Sequence, residues 1–189
     1  MSPDPEGPPE LEPFPPFQVA GSERIYDSPW CGLRRDHVVL GPGQLQEYHV
    51  VEISDAAVAV PILDDGRIAL IWQYRYPHGE THWEVPAGRI HAGESPAEAA
   101  AREVLEETGY RPARVEPLPG FYPINGISDH YAHAFVARGC THAGEPTPEA
   151  AERFEVRVLE RAQVERMLAA GEFRDGFTAL ALFYAMKSF

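Results

Sequence analysis

Residues 88–110 read GRIHAGESPAEAAAREVLEETGY, and the fold follows from them. Ser95–Thr108 is rich in Ala and Glu. Ser95 suits an N-cap, Pro96 the first helical position, Glu98 the capping-box position and Gly109 the stop. A helix turns about 100° per residue, so Glu103 and Glu107 stand about 40° apart, with Glu106 about 60° away on the other side of Glu103. Like charges at these spacings each cost roughly a few tenths of a kcal/mol. A Glu-rich helix alone is ordinarily a solvated face. The preceding loop changes that reading. Gly88 ends a strand, five residues intervene, and Glu94 precedes the cap. Gly88 and Gly93 let the loop turn sharply and let backbone carbonyls approach an ion. Clustered carboxylates are hard ligands, suited to Mg²⁺ or Mn²⁺, and Mg²⁺ commonly shares its shell with substrate phosphates.

Upstream of this helix the texture is β-like. Ser22–Trp30, Arg35–Leu40 and Gln46–Ile53 are short and rich in branched or aromatic residues, with Gly41-Pro42-Gly43 as a turn between the last two. Ala56–Leu63 and Arg67–Tyr76 flank Asp64-Asp65-Gly66, a hairpin signal, and His82–Pro86 is a further short strand. Downstream, strands are expected at Val115–Tyr122, His130–Ala137 and Phe154–Leu159, and helices at Arg161–Ala170 and Thr178–Lys187. The sum is an α+β domain with a mixed sheet between helices, an α/β/α layering, preceded by an N-terminal antiparallel β segment. There is no regular βαβ alternation and no GxGxxG, which argues against a dinucleotide-binding doubly wound fold. Residues 1–17 carry seven prolines and are expected to form an extended or disordered arm. Residues 18–54 are expected to form the β segment and 55–189 the catalytic domain.

The chain has 189 residues and a formal net charge of −13, which disfavours nucleic acid and anionic membrane as partners. A negative protein acting on a phosphate substrate needs local cations. No apolar run is long enough to span a bilayer, and the start lacks the basic and apolar stretches of a signal peptide. Cys31 and Cys140 form no metal cluster and no disulfide framework, so a reducing cytoplasm is expected.

Gly88, Glu94, Arg102-Glu103, aliphatic Val104, Glu106-Glu107 and Gly109, at these spacings, resemble the box that defines the Nudix hydrolases. Tyr110, where an aliphatic residue is usual, is the one departure. The resemblance implies metal-dependent cleavage of a diphosphate bond by two or more Mg²⁺ or Mn²⁺ ions. It implies Glu103 and Glu107 as metal ligands and Glu106 as a ligand or a partner of one. It also implies the backbone carbonyl of Ala87 in one metal site, and Arg102 paired with the box carboxylates, Glu94 first, holding the loop against the helix.

The segments outside the box look like those of ADP-ribose and nucleotide-sugar members. Trp83 through Gly88 resembles their approach to the box. Gln73-Tyr74-Arg75-Tyr76-Pro77 resembles the strand whose Arg reaches the substrate phosphate. The resemblance implies Arg75 in that role and Glu84 as an acceptor for a ribose hydroxyl or nucleobase. Phe121 to Asp129 resembles their aromatic-Tyr-Pro-Ser-Pro-Gly loop, but Ile124-Asn125 stands where Ser-Pro is usual. Asn125 keeps a donor and an acceptor that Pro lacks, so another nucleotide sugar, such as a GDP- or UDP-hexose, stays open beside ADP-ribose. In that subgroup a loop Glu before the last strand is the general base. Glu152 matches best, Glu155 is the alternative, and a solvated acidic loop is the bland reading. The subgroup's N-terminal strands build a homodimer in which aromatic residues stack on the partner's nucleobase. Tyr26, Trp30 or Tyr48 could do so, or could simply pack the sheet. The substrate expected first is ADP-ribose, cleaved to AMP and ribose 5-phosphate. A dinucleotide is a further alternative substrate, and a nucleotide-binding module without catalysis is the rival from another class.

Overall fold

The computed structural model describes residues 11–188. They form two compact units, one running to Val51 and one beginning at Glu52. The expected proline-rich arm lies outside the described residues over positions 1–10, and residues 11–17 have no regular structure.

The first unit is a three-stranded antiparallel sheet of β1 (Gln18–Asp27), β2 (Gly32–Gly41) and β3 (Gln44–Glu52), in the order β1-β2-β3. Pro42 and Gly43 make the β2–β3 turn, and Gly43 takes the positive φ of 74° that a tight hairpin demands. Every residue of β1 is exposed.

The second unit is built on a mixed sheet. Its elements are β4 (Ala56–Leu63), β5 (Ile68–Arg75), β6 (Glu80–Glu84), β7 (Ala87–Arg89), α1 (Pro96–Thr108), β8 (Tyr110–Arg111), β9 (Arg114–Pro117), β10 (Ala132–His142), β11 (Phe154–Leu159), α2 (Arg161–Ala169) and α3 (Gly176–Lys187). The strand path is β11-β5-β4-β10-β8, with β6 on β5, β7 on β4 and β9 on β10. β4 and β10 run parallel and the other pairs antiparallel. All eight residues of β4 are buried, as expected of a central strand covered on both faces. Its side chains alternate between two cores. Val58, Val60 and Ile62 pack with Val164 and Met167 of α2 and Ala181, Leu182 and Ala185 of α3. Ala57, Ala59 and Leu63 pack with Ala99, Ala100 and Val104 of α1. This is the α+β architecture with helices on both sides of a mixed sheet.

Several elements differ from the sequence reading: β1 starts and ends earlier than Ser22–Trp30, β6 lies at Glu80–Glu84 and not at His82–Pro86, and the short β7 and β8 were not expected. β9 ends at Pro117, and only a single bridge, Phe121 to Ala132, continues its pairing. β10 runs on to His142, past a register shift near Gly139, which sits at φ 64°. α3 starts two residues earlier than expected, because Asp175 is its N-cap: Oδ2 accepts from Thr178 N at 2.8 Å and from Thr178 Oγ1 at 2.7 Å.

Candidate active site

Helix α1 carries the acidic residues, and its ends fix where they point. Ser95 and Glu98 complete a capping box, and Gly109 closes the helix at φ 74°. Glu103 and Glu107 are buried, at 9% and 4% exposure, although their type is rarely found inside. Glu107 Oε2 accepts from the backbone N of Ala87 at 3.0 Å, which ties α1 to β7. Gly88 leaves the room into which the Glu103 carboxylate fits.

Arg102 organises the outer part. Its Nε and Nη2 grip Glu94 at 2.9 and 3.0 Å, Nη2 also donates to the carbonyl of Arg89 at 2.9 Å, and Nη1 reaches Glu103 at 2.6 Å and Glu106 at 2.9 Å. One guanidinium thus binds loop, strand and helix together, as its fork of five donors allows. These hydrogen bonds hold the Glu94 carboxyl down at about 2. Glu103 and Glu107 go the other way. Burial raises Glu103 despite Arg102, and burial together with the charge of Glu103 drives Glu107 well above the usual carboxylate range. Among the described residues, no three His, Cys, Asp or Glu side chains are gathered as a metal cluster. Arg102 holds Glu103 and Glu106, while Glu107 accepts from Ala87 N.

The loop after β10 is bound to the end of α1. Ala143 N donates to Gly109 O at 2.8 Å, and Thr147 N to Glu106 O at 2.7 Å. Farther along, Glu152 closes a small turn, with Oε2 accepting from Glu149 N at 2.8 Å. Its charge raises the carboxyls of both Glu103 and Glu107. Glu155 faces elsewhere: it lies exposed on β11 and pairs with Arg157.

Beside the box lies a cavity of about 510 Å³, reached by Ala87, Gly88, Arg75 and Glu84 on one side. Arg75 and Glu84 form a bidentate pair, Nε to Oε1 at 2.9 Å and Nη2 to Oε2 at 2.6 Å, with Glu84 only 3% exposed. His78, His82, Arg174 and Phe177 complete the cavity, and the sequence reading did not single them out. The Asp175 cap three residues before Thr178 was a legible signal that the first turn of α3 lies here. Nothing comparable marks His78 or His82.

The structure therefore gathers Glu94, Arg102, Glu103, Glu106 and Glu107 around one loop, with Ala87, Arg75 and Glu84 beside them. Asn125 lies exposed in the turn 123–127, and it does not line the cavity. Tyr26, Trp30 and Tyr48 are exposed in the first unit.

The NUDIX domain family matches residues 54–180. The chain belongs to the Nudix family. A second match, to the nucleoside diphosphate sugar hydrolase N-terminal domain, covers residues 17–51. The chain is 33% identical to a CMP-5'-(N-acetyl-N-hydroxy-3-aminopropyl)phosphonate hydrolase of Streptomyces rubellomurinus, over 86% of this chain and 78% of that protein. It is 29% identical to an ADP-ribose pyrophosphatase of Bacillus subtilis, over 88% of this chain and 91% of the relative. An ADP-ribose pyrophosphatase of Mycobacterium tuberculosis is 34% identical over 69% of this chain, a match spanning 63% of that protein. The crystal structure of an ADP compounds hydrolase superposes with a TM-score of 0.80 over 94% of this chain and 96% of the other, at 20% identity, and so shares the fold. The box, the N-terminal domain and these relatives make the chain a Nudix hydrolase that resembles the ADP-ribose pyrophosphatase group.

Proposed function

We propose that this Nudix hydrolase cleaves the diphosphate bond of a nucleoside diphosphate sugar, with ADP-ribose, giving AMP and ribose 5-phosphate, as the first substrate to test. The observation that carries the reading is the seating of two buried carboxylates, Glu103 and Glu107, against the backbone of Ala87 and Gly88 at the mouth of the cavity. Two buried acids that repel each other form a hard oxygen donor set short of positive charge, and a divalent cation fits it. Glu103, Glu107, Glu106 and the carbonyl of Ala87 would hold Mg²⁺ or Mn²⁺, two or more ions in all. Bound there, the metal supplies neutralisation of the diphosphate and acidification of water.

The chain's own groups do the rest. Arg75, oriented by Glu84, keeps Nη1 to bind a phosphate oxygen. Glu152, close enough to act on Glu103 and Glu107, accepts the proton of the attacking water. Arg102 keeps Glu94 and the loop against the helix, so the carboxylates are already in place when charge develops. Tyr26, Trp30 and Asn125 remain candidates for contact with the nucleobase and the distal sugar. The 168-residue match to the Bacillus subtilis ADP-ribose pyrophosphatase supports the substrate class. GDP- and UDP-hexoses are the second reading, favoured by the match to the diphosphate-sugar hydrolase N-terminal domain. A purely binding role is disfavoured by the retention of all three box glutamates. We place the enzyme in the cytoplasm, as a homodimer acting on a small molecule. Among the described residues no helix is long and apolar enough to cross a membrane. Burial pushes the Cys140 thiol up to about 12, which leaves it inert.

The test is incubation with a panel of nucleotide sugars and Mg²⁺ or Mn²⁺, reading the nucleoside monophosphate released. Metal-dependent release of AMP from ADP-ribose is expected. Inactivity toward every nucleotide sugar would overturn the reading.

A further inference from the structure

The cavity beside the box is lined by His78, in the turn after β5, and by His82, on β6. Their Nε2 atoms are 2.6 Å apart, while the ring centres are 4.6 Å apart and the ring planes differ by 25°. The rings therefore meet nitrogen to nitrogen. Two lone pairs cannot face each other at that distance, and neither can two N–H groups. One Nε2 carries a proton and donates it to the other. In the neutral pair the donating ring keeps a bare Nδ1, which is an acceptor. The accepting ring carries its own proton on Nδ1, which is a donor. Which histidine is which decides what His78 offers the cavity.

A second buried group decides it. Gln73 is 2% exposed, and its Oε1 is sealed from solvent without a hydrogen-bond partner. An unmet buried acceptor is costly. Gln73 stands directly opposite His82 in the antiparallel pairing of β5 with β6. Directly opposite side chains share one face of the sheet, with Cβ atoms roughly 4.5–5.5 Å apart, within reach of an amide and an imidazole. His82 is itself 6% exposed. A proton on His82 Nδ1 gives the orphaned oxygen a donor and gives the buried ring an acceptor. The opposite arrangement leaves a bare His82 Nδ1 beside an oxygen that is still unmet.

We infer that Gln73, His82 and His78 form a hydrogen-bond relay that fixes His78 as an uncharged acceptor on the cavity wall, for a hydroxyl of the substrate's sugar. Gln73 Oε1 accepts from His82 Nδ1, His82 Nε2 accepts from His78 Nε2, and His78 Nδ1 is left bare. The sugar contact rests on the reading of Ala87, Gly88, Glu103 and Glu107 as the diphosphate end. Both oxygens of Glu84 are already held by Arg75, so an acceptor is wanted elsewhere in the lining. A bare imidazole nitrogen receives an O–H and offers nothing to a phosphate oxygen, which brings no donor. His78 is then a specificity-determining residue, and Gln73 is a positioning residue that acts through it.

Nitrogen NMR of the histidine rings reads the relay directly, because ring nitrogens with and without a proton resonate far apart. In the wild type at pH 8, His78 should carry its proton on Nε2 and His82 on Nδ1. Gln73→Leu, which removes the buried acceptor, should mix the two His82 tautomers without lowering Tm. Should that variant not fold, the wild-type spectrum still decides. A second arm adds ADP-ribose or UDP-glucose in chelator, so that the ligand is bound but not cleaved. The bare His78 Nδ1 should then move toward the protonated range. With Mg²⁺, Gln73→Leu should raise KM about tenfold, the worth of one hydrogen bond, with kcat within about twofold. Reversed tautomers in the wild type, or a proton on Nδ1 of both rings, overturn the relay. A ligand that shifts the amides of Arg75 or Gly88 without moving His78 Nδ1 overturns the sugar contact. If the tautomers are as expected and no nucleotide sugar binds or is hydrolysed, the relay stands and the proposed activity falls. If nucleotide sugars are hydrolysed and the tautomers are reversed, the activity stands and the relay falls.

Discussion

Gly88 and Glu103 compete for one volume: a Cβ at Gly88 would overlap the Glu103 carboxylate, and even its farther oxygen would lie only 2.6 Å away. The collision is with the end of a side chain, which can swing, and not with backbone. Gly88→Ala should therefore fold, with Tm within about 4 °C of the wild type. The displaced carboxylate should cost roughly a hundredfold in kcat, the scale of a misplacement of about 1 Å in a catalytic group. Calorimetry and steady-state kinetics on one preparation check both halves. A variant that keeps full turnover would show that the Glu103 position carries no chemistry.

Gly109 makes the opposite case. A Cβ there would overlap the carbonyl oxygen of Gly144 and lie 3.2 Å from its carbon, and the backbone already sits at φ 74°. Neither partner can rotate away, and a left-handed conformation costs a substituted residue roughly 1–2 kcal/mol by itself. Gly109→Ala should lower Tm by more than Gly88→Ala does. It should also reduce kcat, because the strand-to-loop segment it pushes leads on to Glu152. A melting temperature equal to that of the wild type would contradict this account.

These two glycines mark where the sequence was legible and where it was not. Their identity and spacing were visible, as were the capping box of Ser95 and Glu98 and the hairpin at Asp64-Asp65-Gly66, because local chemistry dictates them. The contacts they permit were not. Gly109 meets Gly144 across 35 positions, and nothing in the local pattern reports that distance. β7 is only three residues long and exists because β4 offers a free edge to Ala87–Arg89. The parallel pairing of β4 with β10 likewise joins segments far apart in the chain. The cavity lining of His78, His82 and Arg174 comes from the β5–β6 turn, from β6 and from the segment before α3, which no motif connects. The pairing of Arg102 with the box carboxylates, Glu94 first, was foreseen, but the reach of the same guanidinium to the carbonyl of Arg89 was not.

Glu107→Gln separates stability from activity. Burial and the charge of Glu103 raise the Glu107 carboxyl, so without metal its ionised form opposes folding at neutral pH. A raised carboxyl costs most above its folded value, and the cost fades as pH falls toward the unfolded value. The amide keeps an acceptor for Ala87 N and removes the charge. In a chelator at pH 7 the variant should melt at least as high as the wild type, and the gap should close as pH falls. With metal present, kcat should fall by several orders of magnitude through loss of a ligand charge. A lower melting point in chelator would contradict the electrostatic argument, and near-normal turnover would remove Glu107 from the metal site.

Glu94 titrates in the other direction. Its hydrogen bonds to Arg102 hold it at about 2, against 4.5 for a free carboxyl. A depressed carboxyl stabilises the fold fully above the unfolded value and loses that contribution as pH falls through the folded one. Glu94→Gln should therefore be less stable than the wild type at pH 7, with the difference shrinking between pH 4.5 and pH 2. Chemical denaturation across that range measures it. A difference that stays constant down to pH 2 would assign the effect to packing and not to charge.

The last prediction concerns assembly. β1 exposes Val19, Ile25 and Tyr26, and the same small sheet exposes Leu40, Leu45 and Tyr48. Three strands with apolar side chains left open make a weak sheet by themselves, and their free edge invites another strand. Large apolar residues left exposed in such number on one small sheet mark an interaction site more often than a solvated surface. A two-fold partner is the commonest occupant among homo-oligomers, since one patch then serves both subunits. Light scattering should give the mass of two chains at micromolar concentration. A charge placed in the exposed aromatic set, Tyr26→Glu, should shift the protein toward monomer without lowering the Tm of the unit that begins at Glu52. If Tyr26 also meets a nucleobase, KM for ADP-ribose should rise in the same variant while kcat changes little. A monomeric wild type with full activity would remove the dimer and the shared nucleobase contact together.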